Sequence, residues 1–144
     1  MTLFVIPTWF NCVLFALVAA VALWKGGIRE RAISVAQAVE MITGLYFFPA
    51  STWAVPMLHP AAFDGFVLAV CLACVVRADR YWTIWACSFA LLDEISDLTI
   101  FVGTTRWAWL SASLFWSYAV AAAVLWGVFT RPSTPDVASR APTS

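Results

Sequence analysis

Glu40, Asp93, Glu94 and Asp97 are acids set in stretches otherwise made of apolar residues. Gln37 and Thr43 flank Glu40 at i−3 and i+3, which gives a polar stripe at helical spacing. Asp93 and Asp97 are four residues apart and share a helix face. Carboxylates in such surroundings do two kinds of work: they exchange protons, or they hold a cation. A carboxylate that stays charged in an apolar interior needs a partner. No Lys or Arg lies inside any of these stretches to provide one. The candidate proton or cation site is therefore Glu40, Gln37, Asp93, Glu94 and Asp97, and no catalytic residue, metal-ligand motif or cofactor is expected.

Other reactive side chains have simpler readings. Asp64 follows His59-Pro60 at the start of a third apolar stretch. It is expected in the first turn of that helix, where a carboxylate meets the positive end of the helix dipole. The single His59 lacks the neighbouring ligands a metal or haem site needs. Cys12, Cys71, Cys74 and Cys87 lie within apolar stretches, and Cys71-x-x-Cys74 has no basic neighbour to make a thiolate. They are expected as packing thiols. P-loop, Rossmann, HExxH, GxSxG and CxxCH patterns are absent.

The elements that must position the acids follow from composition. Of 144 residues, 63% are hydrophobic and only 11% charged, with no net charge. A soluble domain carries about 25% charged residues; this chain cannot cover a water-facing surface. Mean hydropathy is +0.88. Soluble enzymes, nucleic-acid modules, disordered chains and disulfide scaffolds are disfavoured. A hydrocarbon core of about 30 Å needs roughly 20 apolar residues per helix. Five segments qualify as candidates: Leu3–Trp24, Arg31 to about Phe48, Pro60–Val76, Tyr81–Val102 and Trp107–Phe129. The expected fold is all-α, an integral membrane bundle of five transmembrane helices over residues 1–129. Residues 130–144, rich in Pro, Ser and Thr, are expected as a disordered cytoplasmic tail. No basic residue precedes Lys25, so the first helix is expected to stay in the mature protein rather than leave as a secretory signal.

Basic residues set the orientation. With five spans and the N-terminus outside, seven of the eight Lys and Arg residues fall on the cytoplasmic side: Lys25, Arg29, Arg31, Arg77, Arg80, Arg131 and Arg140. Only Arg106 falls outside. The C-terminus is then cytoplasmic. Trp24, Tyr81, Trp82, Trp85 and Trp126 lie near cytoplasmic helix ends, and Trp9, Tyr46, Trp53, Trp107 and Trp109 near external ones, as interfacial aromatics do. Trp116 and Tyr118 are deeper exceptions. Gly26-Gly27 breaks the chain after the first helix, and Pro49 and Pro56 punctuate the external loop.

The fourth segment is the marginal one. Each acid at helix centre costs about 2.5–3.5 kcal/mol to insert, while each strong apolar residue returns about 0.3–0.6. Three acids cancel most of the segment's gain. Three arrangements answer this. The helix bends near Asp93 and leaves the acids at the outer interface; the acids face the bundle core as a structural polar network; or Glu40 and Asp93 line a path for protons or cations. Arg106 is the nearest base for Asp97, but it lies beyond Gly103 and must fold back to reach it.

Arg80-Tyr81-Trp82-Thr83-Ile84-Trp85 resembles a segment found in small bacterial multi-pass membrane proteins. The resemblance covers one helix start, implies a bacterial inner (plasma) membrane, and brings no activity, cofactor or site residue. Ala119, Ala123 and Gly127 recur at four-residue spacing, as do Ser113 and Ser117, and small residues on one face let helices approach closely. The expected partners are the lipid bilayer and, through that helix, a second copy or another membrane protein, with no nucleic acid. The first function expected is a non-enzymatic accessory or interaction subunit; the alternative is a proton- or cation-coupled carrier or channel using the intramembrane carboxylates. A holin-like membrane permeabiliser is the third.

Overall fold

A computed structural model describes residues 8–47, 58–77, 80–99, 103 and 106–130. These residues form five α-helices and no strand: α1 (Thr8–Lys25), α2 (Ile28–Phe47), α3 (Leu58–Val76), α4 (Tyr81–Leu98) and α5 (Arg106–Phe129). The all-α expectation holds. Within α5, Ser111–Phe129 is long and apolar enough to cross a membrane, while Trp9–Lys25 and Ala62–Val76 are apolar but shorter. Charge explains why the other two helices do not qualify by composition: α2 carries Arg29, Glu30, Arg31 and Glu40, and α4 carries three acids. Residues expected at Leu3, in the loop with Pro49, Trp53 and Pro56, and in the tail from Arg131 lie outside the described residues.

Two helix starts differ from expectation. The second helix begins at Ile28, not Arg31, so Arg29, Glu30 and Arg31 belong to its first turn. The third begins at Leu58, not Pro60, which carries Asp64 beyond the first turn. The corner between α1 and α2 is tight: Gly26 N–H donates to the Ala22 carbonyl at 2.8 Å. A Cβ at Gly26 would stand 2.3 Å from that carbonyl oxygen, so only glycine fits there.

Each helix packs on the next, α5 closes the ring against α1, and α2 also reaches α5 across the middle. Consecutive helices therefore alternate in direction, and the α1–α2 corner, the α3–α4 corner and the end of α5 gather at one end. Side chains tie them there. Arg80 Nη1 pairs with Glu30 Oε1 at 3.4 Å, and Arg80 Nη2 donates to Thr130 Oγ1 at 3.3 Å. Arg29 donates to the Arg77 carbonyl.

The core is Phe15, Val18, Ala22, Ile33, Val67, Cys71, Trp82, Ala86, Val120 and Val124, with their neighbours. Small residues bring α4 against α5: a Cβ at Gly127 would lie 2.6 Å from the Trp82 ring. The two deep aromatics of α5 are accounted for by stacking. Trp116 lies on Phe89 at 6.1 Å between centroids, and Tyr118 on Phe15 at 5.9 Å. The Tyr118 hydroxyl also bonds Asn11 Oδ1.

Polar residues share the interior with this apolar core, and large apolar side chains stand on the outside. Gln37, Asp64, Asp93, Asp97, Asn11 and Ser117 are buried, while Leu17, Val39, Phe66, Leu72, Ile84, Leu91, Ile95 and Phe115 face outward. Trp24, Tyr81, Trp85 and Trp126 stand exposed near the Arg80 end, and the Lys25 ammonium sits 4.9 Å from the Trp24 ring centroid.

Candidate functional site

Four helices send polar side chains to one layer of the core. Asp64 comes from α3, Asp93 and Asp97 from α4, and Gln37 and Glu40 from α2. From α5 come Ser117, Ser113 and Trp109. At about 1.5 Å per residue, Glu40 lies about 10 Å, and Asp64 about 9 Å, from the ends of their helices away from Arg80. Asp93 lies about 7 Å from the corresponding end of α4. Their depths match, so antiparallel neighbours bring them together.

α4 runs as one helix to Leu98, with no break at Asp93. Asp93 and Asp97 are 6% and 3% exposed, and Asp64 is 7% exposed. The arrangement in which the helix bends and leaves Asp93 and Asp97 at an outer interface is not the one observed. Ser117 Oγ donates to Asp93 Oδ2 at 2.8 Å, and Ser113, one helical turn from Ser117, lies near Asp93. Trp109 Nε1 donates to Asp97 Oδ1 at 2.9 Å. Asp64 is within hydrogen-bonding reach of both Glu40 and Asp97. One carboxylate oxygen each from Asp64, Asp93 and Asp97 lie within 4.8 Å of one another.

Electrostatics limits what such a group can be. Two unit charges 4.8 Å apart repel by about 3.5 kcal/mol at an effective dielectric of about 20. Three such pairs, about 10 kcal/mol, rival the whole stability of a typical domain, about 5–15 kcal/mol. Three bare carboxylates cannot coexist there; a proton or a cation must stand among them. Among the described residues the ion pair of the bundle, Arg80 with Glu30, is at the other end.

The site also contains orphaned acceptors. Gln37 is 3% exposed, and its Nε2 donates to the Ser117 carbonyl at 3.1 Å. A carbonyl only accepts, which fixes the amide so that Oε1 points the other way. Gln37 Oε1, Asp93 Oδ1 and Asp97 Oδ2 are buried with no hydrogen-bond partner. A cavity of about 10 Å3 lies among Gln37, Glu40, Asp64 and Asp93, walled by Val67, Ala90 and Val120. That is about the room one water-sized body needs.

Of the expected site residues, Gln37, Glu40, Asp93 and Asp97 converge. Glu94 stands apart: its Oε2 is buried against α3 near Gly65, 3.7 Å from where a Cβ would be. Thr43, the other member of the stripe, bonds back to the Glu40 carbonyl at 3.0 Å and adds nothing to the cluster. Asp97 takes its donor from Trp109; the side chain of Arg106, its expected base, lies outside the described residues.

Asp64 requires a correction. It does not serve the α3 dipole from the first turn; it is seven residues into α3 and joins the acid cluster. Ser117 is likewise not a spacer for a partner helix but a hydroxyl partner of Asp93, and Ser113 lies near that carboxylate. The small-residue face is occupied from within the chain at Gly127, by Trp82. Cys71 is buried in the core as a packing thiol, and Cys71, Cys74 and Cys87 form no disulfide. The side chain of His59 lies outside the described residues.

Comparison of the chain with family models, curated proteins and solved structures returns no match.

Proposed function

We propose that the chain is an integral membrane bundle of five spans, N-terminus outside, in a bacterial inner membrane, and that it acts as a small proton- or cation-coupled carrier. The observation that carries this reading is the convergence of Asp64, Asp93 and Asp97 within 4.8 Å, in a core reached also by Glu40. Carboxylates are expensive within a membrane and belong there when they bind and release charge. The outward apolar side chains support the bilayer as solvent. Exposed Leu, Ile, Val and Phe occur on all five helices, where a soluble monomer keeps its apolar patches small. The exposed Trp and Tyr near the Arg80 end match a headgroup-level belt. Gathering of Lys25, Arg29, Arg77 and Arg80 at that same end fits a cytoplasmic face.

Mechanistically, the cluster holds a proton or a metal ion and gives it up on exchange with the other side. Ser117 and Trp109 orient Asp93 and Asp97 through their hydrogen bonds. No bond chemistry is required of the protein.

The test is flux. Purified protein is reconstituted in liposomes holding a pH-sensitive dye, and a proton or cation gradient is applied. Wild-type protein should dissipate one gradient faster than protein-free liposomes. Asp93→Asn and Glu40→Gln should each lower the rate at least tenfold while gel filtration in detergent is unchanged. Rates equal to protein-free liposomes under every gradient would remove the carrier reading.

A further inference from the structure

We infer that the core cluster is a coordination site for one hard divalent cation, held without its hydration shell by Asp64, Asp93, Asp97 and the amide oxygen of Gln37. This rests on the carrier reading for its purpose and names the ion that reading leaves open.

Donor geometry comes first. Three atoms no more than 4.8 Å apart leave a point within about 2.8 Å of all of them. Calcium–oxygen distances are about 2.3–2.6 Å. Ligands on opposite sides of such an ion are about 4.8 Å apart, the upper limit of the spacing here. Only small inward rotations of the carboxylates complete the contact.

Gln37 supplies the independent sign. Its amide is locked by the Ser117 carbonyl, so an acceptor, not a donor, is turned away from α5. Gln37 lines the cavity with Glu40, Asp64 and Asp93, and this oxygen is buried with no hydrogen-bond partner. Asp93 Oδ1 and Asp97 Oδ2 are in the same condition. Acceptors facing acceptors call for something electropositive between them. A protonated carboxyl could donate to this amide oxygen, but a cation among the carboxylates would satisfy it and the orphaned Asp93 and Asp97 oxygens together.

Charge and donor type name the ion. Asp64, Asp93 and Asp97 offer three negative charges, and Glu40 stands beside Asp64 as a fourth acid. With one proton shared by Glu40 and Asp64, the four acids carry three negative charges; a monovalent ion leaves two of them and a divalent ion leaves one. All the donors are oxygens, with no Cys or His among them, which selects calcium, magnesium or manganese over zinc or copper. The cavity of about 10 Å3 admits one bare ion or one water, not a hydrated ion.

The experiment is a titration of the purified full chain, in lipid nanodiscs, with Mn2+. Free Mn2+ is read by its electron paramagnetic resonance signal, and calcium and magnesium serve as competitors. Wild-type protein should remove one Mn2+ per chain and release protons as it does so. Asp93→Asn and Asp97→Asn should each weaken binding at least tenfold, and Gln37→Leu several-fold. Ser88→Ala, whose hydroxyl only bonds the Ile84 carbonyl on the outer face of α4, should leave binding unchanged. Wild-type titration needs no variant to fold, and each variant is checked by gel filtration.

The outcomes separate the two readings. No Mn2+ bound by wild-type protein, with proton flux intact in liposomes, overturns the metal site and leaves the carrier standing. Binding that survives both Asp93→Asn and Asp97→Asn also overturns it, since the ion is then elsewhere. Binding lost in those variants, with no flux of any ion, establishes the site and removes the carrier.

Discussion

Asp93 takes its hydrogen bond from the Ser117 hydroxyl of α5 and, among the described residues, pairs with no base, as the proposed exchange of charge requires. Ser117→Ala removes the 2.8 Å donor to Asp93 Oδ2. A hydrogen bond of this kind contributes about 1–2 kcal/mol. The variant should melt at a lower temperature in detergent by that amount and retain measurable exchange; an unchanged melting curve would mean that the hydroxyl does not hold the carboxylate. Trp109→Phe keeps an aromatic ring, smaller than the indole, and strips Asp97 Oδ1 of its donor; at this buried site it should lower the thermal midpoint as well as slow exchange. Glu40, Gln37, Asp93 and Asp97 were legible in the sequence, because a polar residue in an apolar stretch is visible without any structure. Asp64 was not: near a helix start, a carboxylate has an adequate local explanation in the dipole. Its partners lie on two other helices, and no local pattern encodes them. For the same reason no metal-ligand spacing is visible, since the donors come from α2, α3 and α4.

At the scale of elements, the bundle depends on close approach of α4 to α5 and on one ion pair at the Arg80 end. A Cβ at Gly127 would fall 2.6 Å from the Trp82 ring. Gly127→Ala should therefore cost about 1–3 kcal/mol through overpacking, measured by thermal unfolding in detergent. Adding Trp82→Leu should recover part of the loss; two independent, additive losses would show that the residues do not share a contact. Glu30 is buried with Arg80 as its ion-pair partner. Arg80→Gln strands that carboxylate and should destabilise by about 1–3 kcal/mol, less than a fully buried pair because Arg80 is part-exposed; Glu30→Gln in the same chain should restore most of it. The helices themselves were readable from apolar run length and from Gly26-Gly27, to within a few residues at each start. The early start of α2 was hidden because Arg29, Glu30 and Arg31 look like a charged connection. They are instead a helical first turn whose side chains reach Arg77 and Arg80. The small-residue spacing on α5 was visible too, but spacing alone does not say which helix fills it, and Trp82 does.

At the scale of the whole molecule, alternation of the five helices puts Lys25, Arg29, Arg77 and Arg80 at one end. If that end is cytoplasmic, green fluorescent protein fused after Thr130 should fluoresce, and alkaline phosphatase fused within residues 48–57 should be active. The reverse pattern would invert the topology. Composition alone made a bilayer the natural solvent for this chain, and the outward apolar side chains agree with it. What the whole molecule adds is the meeting of its buried acids: Glu40, Asp64 and Asp93, at similar depth, line a space that fits one small body, and Asp97, near the end of α4, comes within 4.8 Å of Asp64 and Asp93. The most direct measurement is labelling of membranes at neutral pH with a hydrophobic carbodiimide, read by peptide mass spectrometry, with and without calcium. The reagent attacks protonated carboxyls in apolar surroundings. Modification at Asp64, Asp93 or Glu40, suppressed by the cation, is the expected result. Carboxyls that resist this reagent yet react with a water-soluble carbodiimide would place the acids in open water, contradicting a closed core site.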